Sequence, residues 1–309
     1  MSSVQQPRYN WHDIVYFLEV ARQRSLVRAA AKLRVDHTTV SRRIRELERS
    51  LNTALFTRSK AGFRLTETGL RLLRHAEGME SHAESISEAI GLDDGGPGGA
   101  VRIASMEGIG SLYLTRCVGA FSALYPAIQI ELITDTRLLD LSRREADIFV
   151  SFYKPTGRRL SVRKAGEFKV SLFAGRRYFD ARPRPRTVGD LDEHVFVDFI
   201  DELVLVNENR WLSDIVRPRT VPFRSTSLMA QCVCAAEGRG IAMLPSFVAA
   251  HHPDLVPVLP ELFTTRDIWI SVHEDLLHVA RIKLLLGYLD RRIAGDRTFL
   301  MPPLHRAAE

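Results

Sequence analysis

Cysteine is scarce in this 309-residue chain, which holds only Cys117, Cys232 and Cys234. The last two stand two apart in a segment that reads as a helix, where side chains diverge by roughly 200°. That spacing suits neither a disulfide nor a zinc site, and all three read as small, buried apolar residues. No apolar run reaches the roughly 18 residues of a membrane-spanning helix, and Met1-Ser-Ser-Val-Gln-Gln-Pro-Arg8 lacks a signal-peptide centre, so a cytoplasmic location without a membrane partner is expected. Gly-x-Ser-x-Gly, His-Glu-x-x-His and Walker patterns are also missing, and no catalytic residue is predicted. His251-His252-Pro-Asp254 offers too few ligands for a metal and reads as a surface loop. Gly238-Arg-Gly240 follows a helix instead of preceding one, which predicts a helix C-cap and not a phosphate loop. Neither a metal nor a cofactor is expected.

Acidic residues are thin in the first quarter. Residues 1–76 hold 15 Lys+Arg against 6 Asp+Glu, a net +9, and the remainder of the chain nets −3. A polyanion drawn to the N-terminal end would bind by releasing counterions, with an affinity that falls steeply with salt.

Within that basic quarter the apolar spacing predicts two short helices. Ser25 is suited to cap the first, which turns Leu26, Ala29, Ala30 and Leu33 inward, and Ala30 is small enough for a second helix to cross closely. Asp36 is suited to cap the second, whose Val40, Ile44 and Leu47 recur at spacings of four and three. His37, Thr38, Thr39, Ser41, Arg42 and Arg45 then face outward, with Arg43 counted among the same contacting set. Short polar groups at the start of a helix reach base edges, and arginines farther along meet phosphate or guanine. An ordinary helical hairpin with a solvated basic face is the alternative.

Four fragments in one order carry a more specific signal: Val35-Asp-His-Thr-Thr-Val-Ser-Arg-Arg-Ile44, Glu46-Leu-Glu48, Leu55-Phe-Thr-Arg58 and Leu65-Thr-Glu-Thr-Gly69. Together they resemble the winged helix-turn-helix of the LysR-type transcriptional regulators. The resemblance implies wing strands at Leu55–Thr57 and Gly62–Leu65, with Arg58, Lys60 and Arg64 on or near the tip, against phosphate or the minor groove. Asp36-His37-Thr38 stands where many relatives carry Ser-Gln-Pro, so an operator sequence does not transfer.

From Thr66 the chain reads as one long helix, with Leu72, Ala76, Met79, Ala83, Ile86 and Ile90 on a heptad seam. Such a stripe is buried either against a second copy or on the chain's own body. The family includes a dimerising linker helix here, and a dimer would present two reading helices to a rough inverted repeat. Asp93-Asp-Gly-Gly-Pro-Gly-Gly99 ends the helix and marks the clearest domain boundary.

Beyond it, strand-like and helix-like segments alternate: Val101–Ala104, a helix over Ile109–Leu124, Ile128–Thr134, a helical Leu138–Arg144, then Ile148–Phe152. Phe168–Ala174, Val195–Phe199, a helix near Leu228–Glu237, Ile241–Leu244, Ile268–Val272 and a helix over Val279–Ile293 follow. This favours a parallel sheet covered by helices. It is similar to the effector domain of the same family, two α/β halves joined by two crossing strands as in periplasmic binding proteins. Tyr125-Pro126, Leu141 with Glu145-Ala-Asp-Ile148, and Glu237-Gly-Arg-Gly-Ile-Ala-Met-Leu-Pro245 stand where its recurrent motifs stand.

The expected fold is therefore an N-terminal all-α winged helix-turn-helix with a long linker helix, and a C-terminal α/β two-lobed periplasmic-binding-protein-like effector domain. The expected bounds are 1–66 for DNA binding, 67–92 for the linker helix, 93–99 for a flexible linker and 100–301 for the effector domain. Lobe I takes about 100–163 and 266–301, and lobe II about 164–265. Ligands of open α/β halves sit at the carboxyl ends of strands, which places Ser105, Met106, Glu107, Phe152, Asp198, Phe199, Ser225, Thr226 and Ser227 around one cleft. Ser105 and Thr226 precede helices, where hydroxyls and free N–H groups suit a carboxylate but are also ordinary caps. Glu107 and Asp198 sit awkwardly with an anionic effector. They point away, pair with an arginine, or indicate a neutral or cationic one.

The function implied is a sequence-specific transcriptional regulator whose operator binding or promoter activation is modulated by a small-molecule effector. Its partners would be double-stranded DNA, the effector and a second copy of the chain, with a homotetramer and RNA polymerase as open possibilities. A cytoplasmic solute-binding protein or an enzyme with an accessory DNA-binding domain is the alternative, and it leaves one end of the chain unexplained.

Overall fold

The computed structural model describes residues 9–59, 62–89, 97–134, 146–157, 159–204 and 206–305. Lys60, Ile90, the segment expected to be helical at Leu138–Arg144 and most of the glycine-rich linker lie outside the described residues. The chain divides into two compact units, Met1–Asp94 and Gly95–Glu309. Among the described residues no helix is long and apolar enough to cross a membrane.

In the first unit α1 (His12–Gln23), α2 (Leu26–Leu33) and α3 (His37–Ser50) pack around Phe17, Val20, Ala29, Ala30, Val40 and Leu47, all buried. The stripe expected of α3, Val40, Ile44 and Leu47, is the one it buries. Both expected caps form: Ser25 Oγ accepts the Arg28 N–H at 3.4 Å, and Asp36 Oδ1 accepts the Thr38 N–H at 2.7 Å. The turn is tight because Arg34 takes φ +55°, letting the Val35 N–H reach back to the Ala30 carbonyl at 3.0 Å.

A hairpin of β1 (Phe56–Ser59) and β2 (Gly62–Leu65) forms the wing. Two contacts fix it to the helices. Glu48 Oε1 accepts the Leu55 N–H at 2.7 Å, and the Arg24 carbonyl accepts the Phe63 N–H at 3.0 Å. Gly62 is required there: its φ is +107°, and a Cβ would stand 2.5 Å from the Arg24 carbonyl oxygen. Thr66 caps α4 (Glu67–Ala89) through a 2.9 Å bond from the Gly69 N–H.

Part of the α4 seam faces the chain's own body. Ala76 is fully buried within a single chain, and Leu72 and Met79 are half-buried against the same three-helix core. These positions hold α4 to its own domain, supported by the Arg22–Glu80 ion pair. Ala83 is exposed, and the Ile86 side chain lies outside the description. A heptad spacing alone cannot distinguish packing on a copy from packing on α1.

The second unit is built on one eight-stranded sheet. Its strands are β3 (Gly99–Ser105), β4 (Ile128–Thr134), β5 (Ile148–Ser151), β6 (Leu160–Gly175), β7 (Val195–Asp198), β8 (Thr220–Arg224), β9 (Ile241–Pro245) and β10 (Leu255–His273), in the order β4-β3-β5-β10-β6-β9-β7-β8. β3 runs parallel to β4 and β5, and β7 parallel to β8 and β9. The long antiparallel pair β6 and β10 is shared: β10 joins β5 on one side, β6 joins β9 on the other. These are the two crossing strands of a two-lobed fold. Helices cover the sheet: a π-helical Ile109–Leu114 runs into α5 (Thr115–Leu124), followed by α6 (Leu228–Ala236), the short α7 (Ser246–Ala249), α8 (Ala280–Gly295) and the short α9 (Arg297–Leu300). Cys117 and Cys232 are buried, Cys234 half-buried. Gly238, at φ +73°, closes α6 as a C-cap.

Candidate functional site

On the first unit α3 presents a polar face. His37, Thr38, Arg42 and Arg45 are exposed, and Thr39 and Ser41 are half-buried. Asp36 receives both the N–H and the hydroxyl of Thr38, which holds its carboxyl below the ordinary range and fixes Thr38 at the helix start. Arg45 Nη2 donates to Ser41 Oγ at 2.8 Å, so the two form one unit on the outward face. Arg64 is exposed on β2 opposite Thr57, and Arg58 sits on β1 opposite Phe63. The Arg58 side chain is not described.

Arg43 behaves differently from its neighbour. Its Nη1 lies 3.3 Å from Asp13 Oδ1 and 3.6 Å from Glu46 Oε2, with the guanidinium 5.9 Å from the Tyr16 ring centroid. Asp13 is only 3% exposed, and burial pushes its carboxyl up against the lowering effect of Arg43. Arg43 thus ties α3 to α1.

On the second unit, a cavity of about 270 Å³ opens between the two sets of strands. One wall comes from the segment after β3, with Met106, Glu107 and Ile109. An aromatic group of Phe152, Phe168, Phe199, Trp211 and Phe247 forms much of the rest. Asn209, Thr226 and Leu228 complete it, with Ile200, Leu203 and Val204 on the facing loop. Ring centroids stand 5.7 Å apart for Phe152–Trp211 and 5.9 Å for Phe199–Trp211, a packed aromatic wall. Glu107 crosses to α6: its Oε1 accepts the Ser227 hydroxyl and its Oε2 the Leu228 N–H, each at 2.9 Å.

Residues 11–70 match the bacterial regulatory helix-turn-helix model of the lysR family, and residues 94–294 match the LysR substrate binding domain. The chain belongs to the LysR family. It is 30% identical to an HTH-type transcriptional regulator of Xanthomonas campestris pv. campestris over 186 residues, covering 60% of this chain and 54% of that protein. Against the Mau operon transcriptional activator of Paracoccus denitrificans identity is 28% over 271 residues, 86% of this chain and 90% of the relative. A full-length OxyR variant from Pseudomonas aeruginosa shares the fold, with a TM-score of 0.67 at 15% identity over 97% of this chain and 99% of its own. This LysR-family chain is a DNA-binding transcriptional regulator with an effector-binding domain, and its family is not enzymatic.

For this LysR-family protein the cleft residues expected from sequence divide in two. Met106, Glu107, Phe152, Phe199 and Thr226 line the cavity, whereas Ser105, Asp198, Ser225 and Ser227 do not. Ser105 is fully buried and donates to the Val150 carbonyl at 2.8 Å, joining β3 to β5. Asp198 accepts the Phe199 N–H at 2.8 Å, and burial pushes its carboxyl up. Ser225 Oγ accepts the Ser227 N–H, and Ser227 caps α6 through the Ala230 N–H, each at 3.1 Å. All four are spent on local structure, the ordinary role of short polar residues at strand ends and helix starts. Among the wall residues that sequence reasoning missed, Trp211 and Asn209 come from short 3-10 turns with no periodicity to mark them, and Phe168 and Phe247 from segments that read only as core. A lone tryptophan in a polar stretch, Asn207-Glu-Asn-Arg-Trp211, was the available signal.

Proposed function

We propose that α3 reads operator DNA in the major groove through His37, Thr38, Thr39, Ser41, Arg42 and Arg45, with Arg64 on the wing, together with Arg58 and Lys60, against the backbone. Arg43 is left out of that set because it ties α3 to α1. The effector enters the cavity walled by Phe152, Phe199 and Trp211. It acts by binding one relative disposition of the two lobes better than another, since a ligand shifts an equilibrium only by its differential affinity.

The protein works as a cytoplasmic homodimer, through α4 beyond Met79 and through surfaces outside the first unit's core. Two dimers pairing, and contact with RNA polymerase at an activated promoter, follow the same reading. The functional divisions are 1–66 for DNA, 67–92 for the linker helix and 100–301 for the effector domain.

The observation that carries the proposal is the coincidence of a capped, basic, outward helix on one unit with an aromatic cavity between two lobes on the other. Footprinting on DNA upstream of its own gene and of a divergent neighbour tests it. A protected, roughly symmetric site is expected, and no protection at low salt contradicts it.

A further inference from the structure

The cavity already holds a carboxylate of its own. Glu107 comes from the segment after β3, yet both its oxygens are engaged at the start of α6, which belongs to the other set of strands. The Leu228 N–H is given to Glu107, and the Ala230 N–H to Ser227, whose own hydroxyl is given to Glu107. These donors would otherwise meet an anionic ligand, because unpaired N–H groups at a helix start favour negative charge.

The rest of the described lining offers an anion no positive charge in exchange. Among the described residues, no arginine, lysine or histidine lines the cavity. On the neighbouring segments Arg210 and Arg224 are both held by Asp201, and Arg224 Nη1 also donates to the Phe199 carbonyl at 3.0 Å. A carboxylate entering here would lose its water, face Glu107 and find no countercharge among the described residues, a burial of unpaired charge that is strongly disfavoured.

What the cavity does offer is aromatic surface and a few uncommitted polar groups. Phe152, Phe199 and Trp211 supply flat apolar walls, while the Asn209 amide and the Thr226 hydroxyl are engaged with none of the described residues. A cavity of about 270 Å³ is at the small end for a ligand site.

We propose that the effector of this chain is a small uncharged molecule with an aromatic or branched apolar body and one or two hydrogen-bonding groups, and that Glu107 fills the position an effector carboxylate would take at the start of α6. The inference rests on the effector reading above. It narrows that reading to one ligand class and gives Glu107 a selective role: it excludes acids by charge and by occupying their donors.

The test uses the full-length protein and matched aromatic series: benzoate, benzamide, benzyl alcohol and benzylamine, with the phenylacetate, phenylacetamide, 2-phenylethanol and phenethylamine set beside them. Tryptophan fluorescence, to which Trp211 contributes with Trp11 and Trp269, gives one readout, and thermal stabilisation a second. The expected result is binding of at least one neutral compound about tenfold tighter than its acid or amine. Glu107→Ala should abolish the preference, with the acid gaining about tenfold as the α6 donors become free. Because wild-type selectivity is measured first, poor folding of the variant leaves the main test standing. Glu107→Gln, which keeps an acceptor for Leu228 but removes the charge, should fall between wild type and Glu107→Ala in its rejection of acids. The proposal is overturned when wild type prefers an acid or an amine, when no neutral compound of either series binds, or when well-folded Glu107→Ala gains nothing for acids. Thr226→Trp, at an exposed rim position, separates the two readings. Neutral binding that survives it removes the cavity as the effector site, whereas acid binding that it abolishes keeps the cavity and sinks only the ligand class.

Discussion

Arg42 and Arg43 are adjacent in sequence and are expected to fail in opposite ways. Arg42 is exposed and its side chain makes no hydrogen bond or ion pair with any described residue, so Arg42→Ala should leave folding intact. If it meets one phosphate, its loss lowers the slope of log affinity against log salt by about 0.9, or about 3.5-fold across a fourfold salt rise, for each protomer bound. Arg43→Ala instead strands Asp13, a carboxylate with 3% exposure whose ionised form depends on the guanidinium 3.3 Å away.

Breaking a fully buried pair costs about 3–5 kcal/mol. Because the Arg43 side chain remains 28% exposed, a discounted figure of about 1–2 kcal/mol is appropriate. For a unit of this size that corresponds to a drop of roughly 4–16 °C in its melting transition. Asp13→Asn added to Arg43→Ala should recover part of the loss, since the stranded charge is gone. The assays are calorimetry on the full-length chain and anisotropy titrations on duplex DNA at several salt concentrations. Equal destabilisation by both substitutions, or an Arg43→Ala protein that melts like wild type but shows the flattened salt slope, would refute the division of labour.

Gly62→Ala should lower DNA affinity and loosen the wing, by about 1–3 kcal/mol in local stability, because of its positive φ and the Arg24 carbonyl; hydrogen exchange at Phe63 reports it, and unchanged protection contradicts it. Ser105→Ala should cost about 1 kcal/mol in urea unfolding yet leave effector affinity unchanged, since Ser105 bonds Val150 and does not line the cavity; a loss of ligand binding without a loss of stability would reverse that assignment. The effector domain should lose stability on acidification below about pH 6.5, the ordinary histidine value. Burial lowers the affinity of His194 for a proton, so the unfolded chain binds more protons as pH falls from that value towards the folded one. Tyr178 accepts the Val195 N–H, and its hydroxyl lies 3.0 Å from His194 Nδ1; His194→Gln should flatten this dependence.

The parts of this fold that were legible in the sequence are those where local chemistry and burial agree. Asp36 and Ser25 cap because short acceptors before an apolar stripe have few other uses, and β4 was read at its observed ends because Ile128–Thr134 alternates between turns. The long crossing strands were read only in part: β6 is continuously buried from Val170 to Gly175, but its first half carries Lys164 and Glu167 on a half-exposed ribbon. β8 was missed because Pro222 sits inside it, which only an edge strand tolerates.

The site was legible to a similar degree. Met106, Phe152 and Phe199 follow from the rule that ligands gather at strand ends, but Ser105 shows that a hydroxyl at a strand end is as readily spent on its neighbours. Arg43 lies at the same register as true surface positions for a pattern reader, and only the buried Asp13 across the helix pair decides its role. Tertiary partners of that kind leave no mark on spacing.

Selection of binding sites from a random duplex library tests the central claim most directly, with wild type, Thr38→Ala and Arg42→Ala carried in parallel. Wild type should enrich a motif with rough two-fold symmetry; Thr38→Ala should relax preference at a defined position in each half-site, and Arg42→Ala should weaken binding with the motif unchanged. Enrichment of no motif by wild type, or a motif indifferent to every substitution on the outward face of α3, would contradict the account.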